Sequence, residues 1–362
     1  MSGLNMLNLK KEKSLSGREA SGQFQFLRFL AFMLIFLWHG NTYCSGFSWH
    51  TGHMAAEAVC FFVCLSGFLT GRYHKEIISV SFKAVLKYAF GKIKRFYPLY
   101  LFATVYMLMF TDIPAGIANF RFEELGKPLA QLVAHVFLLQ SWFPEGYFGF
   151  SGVGWFLSTM LFLYLLALPV LSFLNQIRSK KGLLLILISG LCAAVIYCFA
   201  MRFKNTEFWL YIFPPARMFE YFGAMIFGIL IRRTDFSSIK RKKYLCTLLE
   251  LAALTAVIVS VYAVPPLFIW SGRTLHWLPP VLFLLAVFDI GGGCFSEIFR
   301  GRPFVYLGDI SFECFLIHRF VLETYHEVSP DYGGISVLGN CFSLCLCLCI
   351  TLLLSTQVHR KN

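Results

Sequence analysis

Residues 24–43 read FQFLRFLAFMLIFLWHGNTY, an almost unbroken apolar run that is long enough to cross a membrane as a helix. A charged side chain, Arg28, and a titratable one, His39, interrupt it, and such groups are costly to hold in lipid. Because their separation makes about three helical turns, both side chains project from nearly the same face, roughly 16 Å apart along the axis. We therefore interpret the pair as functional, with a snorkelling arginine and a packed histidine as the alternative.

The whole chain shares this apolar character. Of its 362 residues, 57% are hydrophobic and only 14% are charged, whereas soluble domains carry about 25% charged residues. Apolar runs recur along the entire length, which predicts a polytopic, all-α membrane protein. The net charge of +13 does not indicate a nucleic-acid partner, because the Lys and Arg lie in short segments between apolar runs, as membrane topology requires.

The cysteines and the other polar residues form no recognisable metal or nucleotide motif. Most of the 12 cysteines fall inside apolar runs, where they are typical of small packing residues. The chain contains no H-E-x-x-H, P-loop, G-x-G-x-x-G or C-x-x-C pattern. We therefore predict no metal site and no bound cofactor.

Hydropathy predicts the number of membrane spans. Ten apolar segments are candidates for spanning helices: 24–43, 54–71, 96–111, 154–174, 183–201, 210–231, 244–264, 276–290, 304–325 and 335–356. An eleventh segment, 129–142, has only 14 residues and contains His135 and two Gln, so we predict a re-entrant or interfacial helix there. The predicted fold is a transmembrane helical bundle of about ten spanning helices with one additional short helix.

The basic residues predict the orientation of this bundle. With ten spans, 24 of the 32 Lys and Arg fall on the side that holds both termini, which indicates that this side is cytoplasmic. The predicted organisation is then a cytoplasmic tail over 1–22, a membrane domain over 23–357 and a second cytoplasmic tail over 358–362.

That orientation brings candidate site residues of different spans to similar depths. The segment GKIKRFYPLY places Lys92 and Arg95 one helical turn apart at the cytoplasmic mouth of the third span. Together with Arg28 they would form a phosphate-binding rim, although basic flanks of spans are also ordinary topology signals. His39 and His318 both fall in the outer half of the membrane, where they could share one cavity.

Two further polar features have mainly structural interpretations. Ser66 lies in the sequence CLSGF, which lacks the first glycine of a nucleophile elbow, so we interpret it as a packing residue. Arg217 and Glu220 stand one helical turn apart within a single apolar run, which indicates a mutually neutralising pair.

Four features, taken in order, resemble the acyltransferase 3 family of integral membrane acyltransferases across essentially the whole chain. They are the Arg28-x10-His39 pair, FFVCLSGFL at 61–69, the basic cluster ending RFYPLY at 95–100, and LGDISFECFLIH at 307–318. Each is modest alone, but their order and spacing together are specific. One departure is Lys92, which stands where the family's basic cluster usually has the first arginine of Arg-x-x-Arg, and lysine lacks the bidentate fork for phosphate.

The resemblance implies a multi-pass enzyme of the bacterial cytoplasmic membrane, surrounded by lipid, and usually an O-acetyltransferase. The implied donor is cytoplasmic acyl-CoA, usually acetyl-CoA, and the implied acceptor is a hydroxyl of capsule, exopolysaccharide, lipopolysaccharide or peptidoglycan at the outer face. Lys92, Arg95 and Arg28 would hold the donor phosphates, and the pantetheine arm would follow the first helix to His39. The catalytic candidates are Arg28, His39 as general base or transient acyl carrier, and His318 to orient the acceptor or stabilise charge.

Two other classes of function remain open on the residues alone. A transporter or flippase of a lipid-linked sugar or acyl group could use the same intramembrane charges as a substrate path, although the chain shows no inverted repeat. A membrane receptor or scaffold would not need Arg28 and His39 on one helix face. Covalent incorporation of acetyl groups into an acceptor would distinguish the enzyme from both.

Overall fold

Every regular element in the described part of the chain is helical. A computed structural model describes residues 22–43, 54–74, 80–109, 126–147, 149, 152–262, 275–328 and 337–361. The α-helices of these residues are α1 Gly22–Tyr43, α2 Met54–Tyr73, α3 Phe82–Ile93, α4 Tyr97–Met107, α5 Gly126–Val136, α6 Trp155–Gln176, α7 Lys180–Met201, α8 Met218–Arg232, α9 Ser237–Lys240, α10 Lys243–Tyr262, α11 Leu278–Ile290, α12 Cys294–Phe299, α13 Arg302–Asp309, α14 Ser311–Val328 and α15 Val337–Lys361. Helix α1 packs against α2, α12, α13 and α14, so its polar residues face other helices.

Five of these helices are long and apolar enough to cross a membrane. They are α2, α6, α7, α10 and, over Gly339–Arg360, most of α15. Helix α1 also has 22 residues, but polar side chains such as Gln25, Arg28 and His39 lower its mean hydropathy. The architecture is therefore that of a helical membrane protein, as predicted, whereas the number of ten spans and the cytoplasmic position of both termini stay predictions.

The segment 129–142 forms a short helix followed by a tight turn. Helix α5 has 11 residues, or about 16 Å, which is roughly half the thickness of a bilayer core. The backbone turns at Leu138, which has a φ of 56°, and a 3-10 turn follows over Gln140–Trp142. A helix of this length agrees with the short element predicted for this segment.

The span predicted over 304–325 consists of two helices, because the chain bends between α13 and α14. Ile310 separates the two helices, and the Ser311 hydroxyl donates a hydrogen bond of 2.7 Å to the carbonyl of Gly308. Gly308 lies against the backbone of α1, where an added Cβ would stand 2.0 Å from the carbonyl oxygen of Gln25. The bend thus lets α13 approach α1 closely before α14 continues.

Glycines allow α2 and α8 to cross in direct backbone contact. An added Cβ at Gly67 would stand 2.0 Å from the carbonyl oxygen of Tyr221, and one at Gly71 would stand 2.0 Å from that of Met225. On the opposite helix, a Cβ added at Gly228 would stand 2.4 Å from the carbonyl oxygen of Phe68 on α2. This spacing is the G-x-x-x-G pattern that lets membrane helices pack without intervening side chains.

A buried carboxylate on α10 caps the short helix α12. Glu250 accepts hydrogen bonds from the backbone N–H of Gly293 at 3.2 Å and of Phe295 at 2.9 Å, and from the hydroxyl of Ser296. The first N–H groups of a helix have no intrahelical partners and carry partial positive charge. Glu250 therefore neutralises the start of α12 and ties it to α10.

We expect Glu250→Gln to destabilise the protein by about 1–3 kcal/mol, because the amide would turn a donor group toward buried N–H donors. The measurement is the apparent Tm of the detergent-solubilised protein. The matched control is Glu297→Gln, since Glu297 is 52% exposed and pairs only with the surface residue Lys243 among the interactions described. Equal Tm values for the two variants would show that the carboxylate cap contributes nothing to stability.

Candidate active site

A cavity of about 450 Å³ opens between α1, α2, α3, α6 and the α13–α14 bend. We call it the basic cavity, because Arg28, Lys92 and Arg95 line it together with the acid Asp309. The three cations predicted to form a phosphate-binding rim therefore meet in one space, although they come from two different helices and the turn after α3. The excess of cations suits an anionic ligand.

Arg28 and Lys92 line the basic cavity from two different helices, α1 and α3. The guanidinium of Arg28 donates a hydrogen bond of 2.9 Å to Gln25, one turn earlier on α1. The ammonium of Lys92 lies 5.4 Å from the ring centre of Tyr88. Lys92 keeps contact with solvent, but the surrounding protein atoms desolvate its ammonium, and this desolvation, followed by the neighbouring charge of Arg28, lowers the pKa of Lys92. An anion that enters between the two side chains would relieve that repulsion and favour the charged ammonium.

Arg95 lines the basic cavity but already has an acidic partner. Its guanidinium donates a hydrogen bond of 2.6 Å to Glu313, whose side chain is only 1% exposed, and lies 2.6 Å from the imidazole of His359 on α15. A phosphate at this position must therefore share Arg95 with a buried carboxylate. Arg28 and Lys92 are the stronger candidates for holding an anion.

His39 on α1 and His318 on α14 lie in direct contact. The Nδ1 atom of His39 is 3.2 Å from the Nε2 atom of His318, and the ring centres are 5.0 Å apart. Each ring also contacts a carbonyl of its own helix, since His39 Nδ1 is 3.0 Å from the oxygen of Ile35 and His318 Nδ1 is 2.7 Å from that of Phe315. The two histidines predicted at similar depth are thus brought together.

For neutral rings, one pair of tautomers satisfies all of these contacts. At His318, Nδ1–H donates to the Phe315 carbonyl, which leaves a lone pair on Nε2. That lone pair accepts from Nδ1–H of His39, which is shared with the Ile35 carbonyl. The remaining nitrogen of His39, Nε2, therefore carries a lone pair and can act as a base or a nucleophile.

Aromatic rings separate the basic cavity from the histidine pair. Phe62, Phe156 and Phe312 line the cavity, and Phe315 packs against all three with ring centres 6.4, 5.5 and 5.8 Å away. Phe315 also contacts His318, with ring centres 5.9 Å apart. We call these four residues the phenylalanine cluster. Among the described residues, the lining of the basic cavity includes neither histidine.

The structure places hydroxyl groups in the cavity wall to which sequence analysis assigned no role there. Ser66, interpreted from sequence as a packing residue, lines the basic cavity and donates a hydrogen bond of 3.2 Å to the hydroxyl of Tyr164. Thr70, one turn along α2, lies 3.3 Å from the Tyr88 hydroxyl. A tyrosine within an apolar run carries no sequence signal of a polar role. These hydroxyl groups are therefore recognised as neighbours only from the packing of α2, α3 and α6.

The Arg217–Glu220 pair predicted from sequence is present at the start of α8. The two side chains meet at 2.6 Å and are almost completely buried, and the guanidinium lies 4.7 Å from the ring centre of Tyr211. Neither residue lines the basic cavity as described. The pair joins α8 to the preceding turn, which is a structural role.

Comparison with known protein families matches residues 22–356 to a family model, acyltransferase 3, described as an acyltransferase domain. The match begins where α1 begins and ends within α15, so it includes every candidate site residue. No curated protein and no solved structure matches the chain.

Proposed function

The chain belongs to the acyltransferase 3 family, and from this premise we propose that it transfers an acetyl group from cytoplasmic acetyl-CoA to a hydroxyl of a cell-surface glycan or glycolipid. The observation that carries the proposal is the position of two polar centres on one helix. Arg28 lies in a basic cavity near one end of α1, and His39 contacts His318 near the other end. The acceptor class and the bacterial cytoplasmic membrane as location rest on the family resemblance.

The basic cavity would bind the phosphates of the donor. Arg28 and Lys92 supply two cations that no carboxylate contacts directly in the described structure. Arg95 supplies a third cation, whose guanidinium would replace its contact with Glu313 by a contact with a donor phosphate. Coenzyme A carries its phosphates at one end and its thioester at the other. Phosphates held beside Arg28 would leave the thioester to extend along α1 toward His39, over a separation of roughly 16 Å.

The histidine pair would carry out the transfer. Nε2 of His39 takes the proton of the acceptor hydroxyl while the hydroxyl oxygen attacks the thioester carbonyl. The carbon–sulfur bond then breaks, the new ester carbon–oxygen bond remains, and His39 returns the proton to the departing sulfur as the coenzyme A thiol. His318 accepts a hydrogen bond from Nδ1–H of His39 and so stabilises the imidazolium that forms between these steps.

The test is transfer of labelled acetyl groups. Membranes that contain the protein are incubated with [14C]acetyl-CoA and host envelope glycans, next to membranes without it. We expect label in envelope carbohydrate that mild alkali releases, because alkali cleaves esters. A protein that only transports its substrate would leave no covalent label. Absence of label above the control, across envelope fractions from the source cell, would contradict the proposal.

We expect Lys92→Gln to raise the KM for acetyl-CoA about tenfold, which corresponds to about 1.4 kcal/mol, with little change in kcat. The reason is that a phosphate contact far from the reacting atoms stabilises the bound donor and the transition state equally. Lys94→Gln is the matched control, because Lys94 is exposed two residues further on and lies outside the cavity lining as described. Equal KM values for the two variants would remove Lys92 from the donor site.

A further inference from the structure

Phenylalanine rings connect the lining of the basic cavity to the histidine pair, because Phe315 packs both against the lining rings and against His318. Phe156 and Phe315 are each 4% exposed, whereas Phe62 and Phe312 are partly exposed to the cavity. Phe62 also packs against Phe156, with ring centres 6.3 Å apart. Val59 and the four rings enclose one remaining gap, which is too small to admit a water molecule.

The position of the phenylalanine cluster relates it to the acyl group of the donor. Phe62 and Phe312 face the cavity that holds Arg28, and Phe315 contacts both of them and His318. A thioester that extends from the cavity to the histidine pair must bring its acyl chain among these rings. The rings are apolar, so they suit a hydrocarbon chain, but they are closely packed, so each added methylene must displace an aromatic side chain.

We propose that the phenylalanine cluster is the acyl subsite and limits the transferred chain to a short one. This inference rests on the proposed acyl transfer and assigns its chain-length selectivity to four named side chains. The bonds made and broken are those of the transfer itself, whatever the chain: the thioester carbon–sulfur bond breaks and the ester carbon–oxygen bond forms. Donors differ only in the volume that their acyl chain requires within the subsite.

Phe62 is the best position at which to test the proposal. Its ring lines the cavity and packs against Phe156 and Phe315, but it belongs to α2 rather than to α14, which carries His318. Its partial exposure limits the loss of packing when the ring is removed. Substitution there enlarges the subsite and leaves the contact between Phe315 and His318 in place.

The experiment compares kcat/KM for acetyl-CoA and butyryl-CoA, each labelled in the acyl group, in wild type, Phe62→Ala and Phe312→Ala. One methylene in an apolar site discriminates about 10- to 200-fold, so we expect the butyryl-to-acetyl ratio to rise at least about tenfold in both variants. Phe162→Ala is the matched control. Phe162 is partly buried like Phe62 but packs against Trp142 at 5.0 Å, outside the cavity lining as described, and its ratio should equal that of wild type.

A second substitution keeps the test valid if the alanine variants do not fold, which gel filtration in detergent reports. Phe62→Leu retains an apolar side chain of smaller volume and should give a ratio between those of wild type and Phe62→Ala. Wild type that accepts butyryl as readily as acetyl, or folded Phe62 variants with unchanged ratios, would overturn the inference and leave acyl transfer intact. Wild type that transfers neither group would instead overturn the proposed function, and the inference with it.

Discussion

Replacing His39 with alanine is expected to lower acetyl transfer about a thousandfold or more, with no comparable change in the KM for acetyl-CoA. A positioned general base contributes roughly 10²- to 10⁴-fold to a reaction, and the proposed mechanism gives His39 both the removal and the return of the proton. Arg28 stays in place in this variant, so donor binding should persist. Initial rates at saturating and limiting acetyl-CoA, at equal amounts of folded protein, separate the two effects.

Two other histidines of α14 provide the comparison for His39. His318→Gln should reduce kcat about 10- to 100-fold, because His318 acts on the proton of His39 rather than on substrate, and one hydrogen bond to a charged group is worth about 1.5–3 kcal/mol. His326, which is exposed two turns further along the same helix, should tolerate replacement by alanine. Full activity in His39→Ala would exclude His39 as the base.

Replacing Gly67 with alanine is expected to destabilise the bundle by about 3 kcal/mol or more. The added methyl group would stand 2.0 Å from the carbonyl oxygen of Tyr221, and neither backbone can move without separating α2 from α8. The same argument applies to Gly71→Ala against the carbonyl of Met225. The measurements are the yield of monodisperse protein in detergent and its apparent Tm.

The control for these variants is Gly190→Ala on α7. A Cβ added at Gly190 meets no atom within 4 Å, and alanine favours a helix over glycine by up to about 1 kcal/mol. Gly190→Ala should therefore keep or raise the Tm. A Tm of Gly67→Ala equal to that of Gly190→Ala would exclude direct backbone contact between α2 and α8.

Hydropathy predicts the long helices well but not the places where tertiary contacts break them. The apolar segments 154–174 and 183–201 correspond closely to α6 and α7, because a membrane span needs a long apolar run and internal hydrogen bonds. The predicted helix over 210–231 instead begins as a π-helix and a 3-10 turn, since Pro214 and Pro215 lack the N–H that a continuous helix requires.

The polar residues of the site were predictable individually, whereas their partners were not. Intramembrane charge alone indicates Arg28, His39 and His318, because lipid makes such residues costly. Sequence spacing cannot show that Arg95 meets His359, since that contact depends on where α15 packs. The sequence, which contains 41 Phe, also does not identify the phenylalanine cluster, because only the fold distinguishes rings near the histidines from rings that face lipid.

The phenylalanine cluster has a consequence for the energetics of the cell. A membrane stores energy as a voltage, about 2.3 kcal/mol for each elementary charge per 100 mV, and any continuous file of water through a protein would let protons leak and dissipate it. The gap among the four rings is too small for a water molecule. Water therefore has no passage through the phenylalanine cluster itself, and the closely packed rings oppose a proton leak between the basic cavity and the histidine pair.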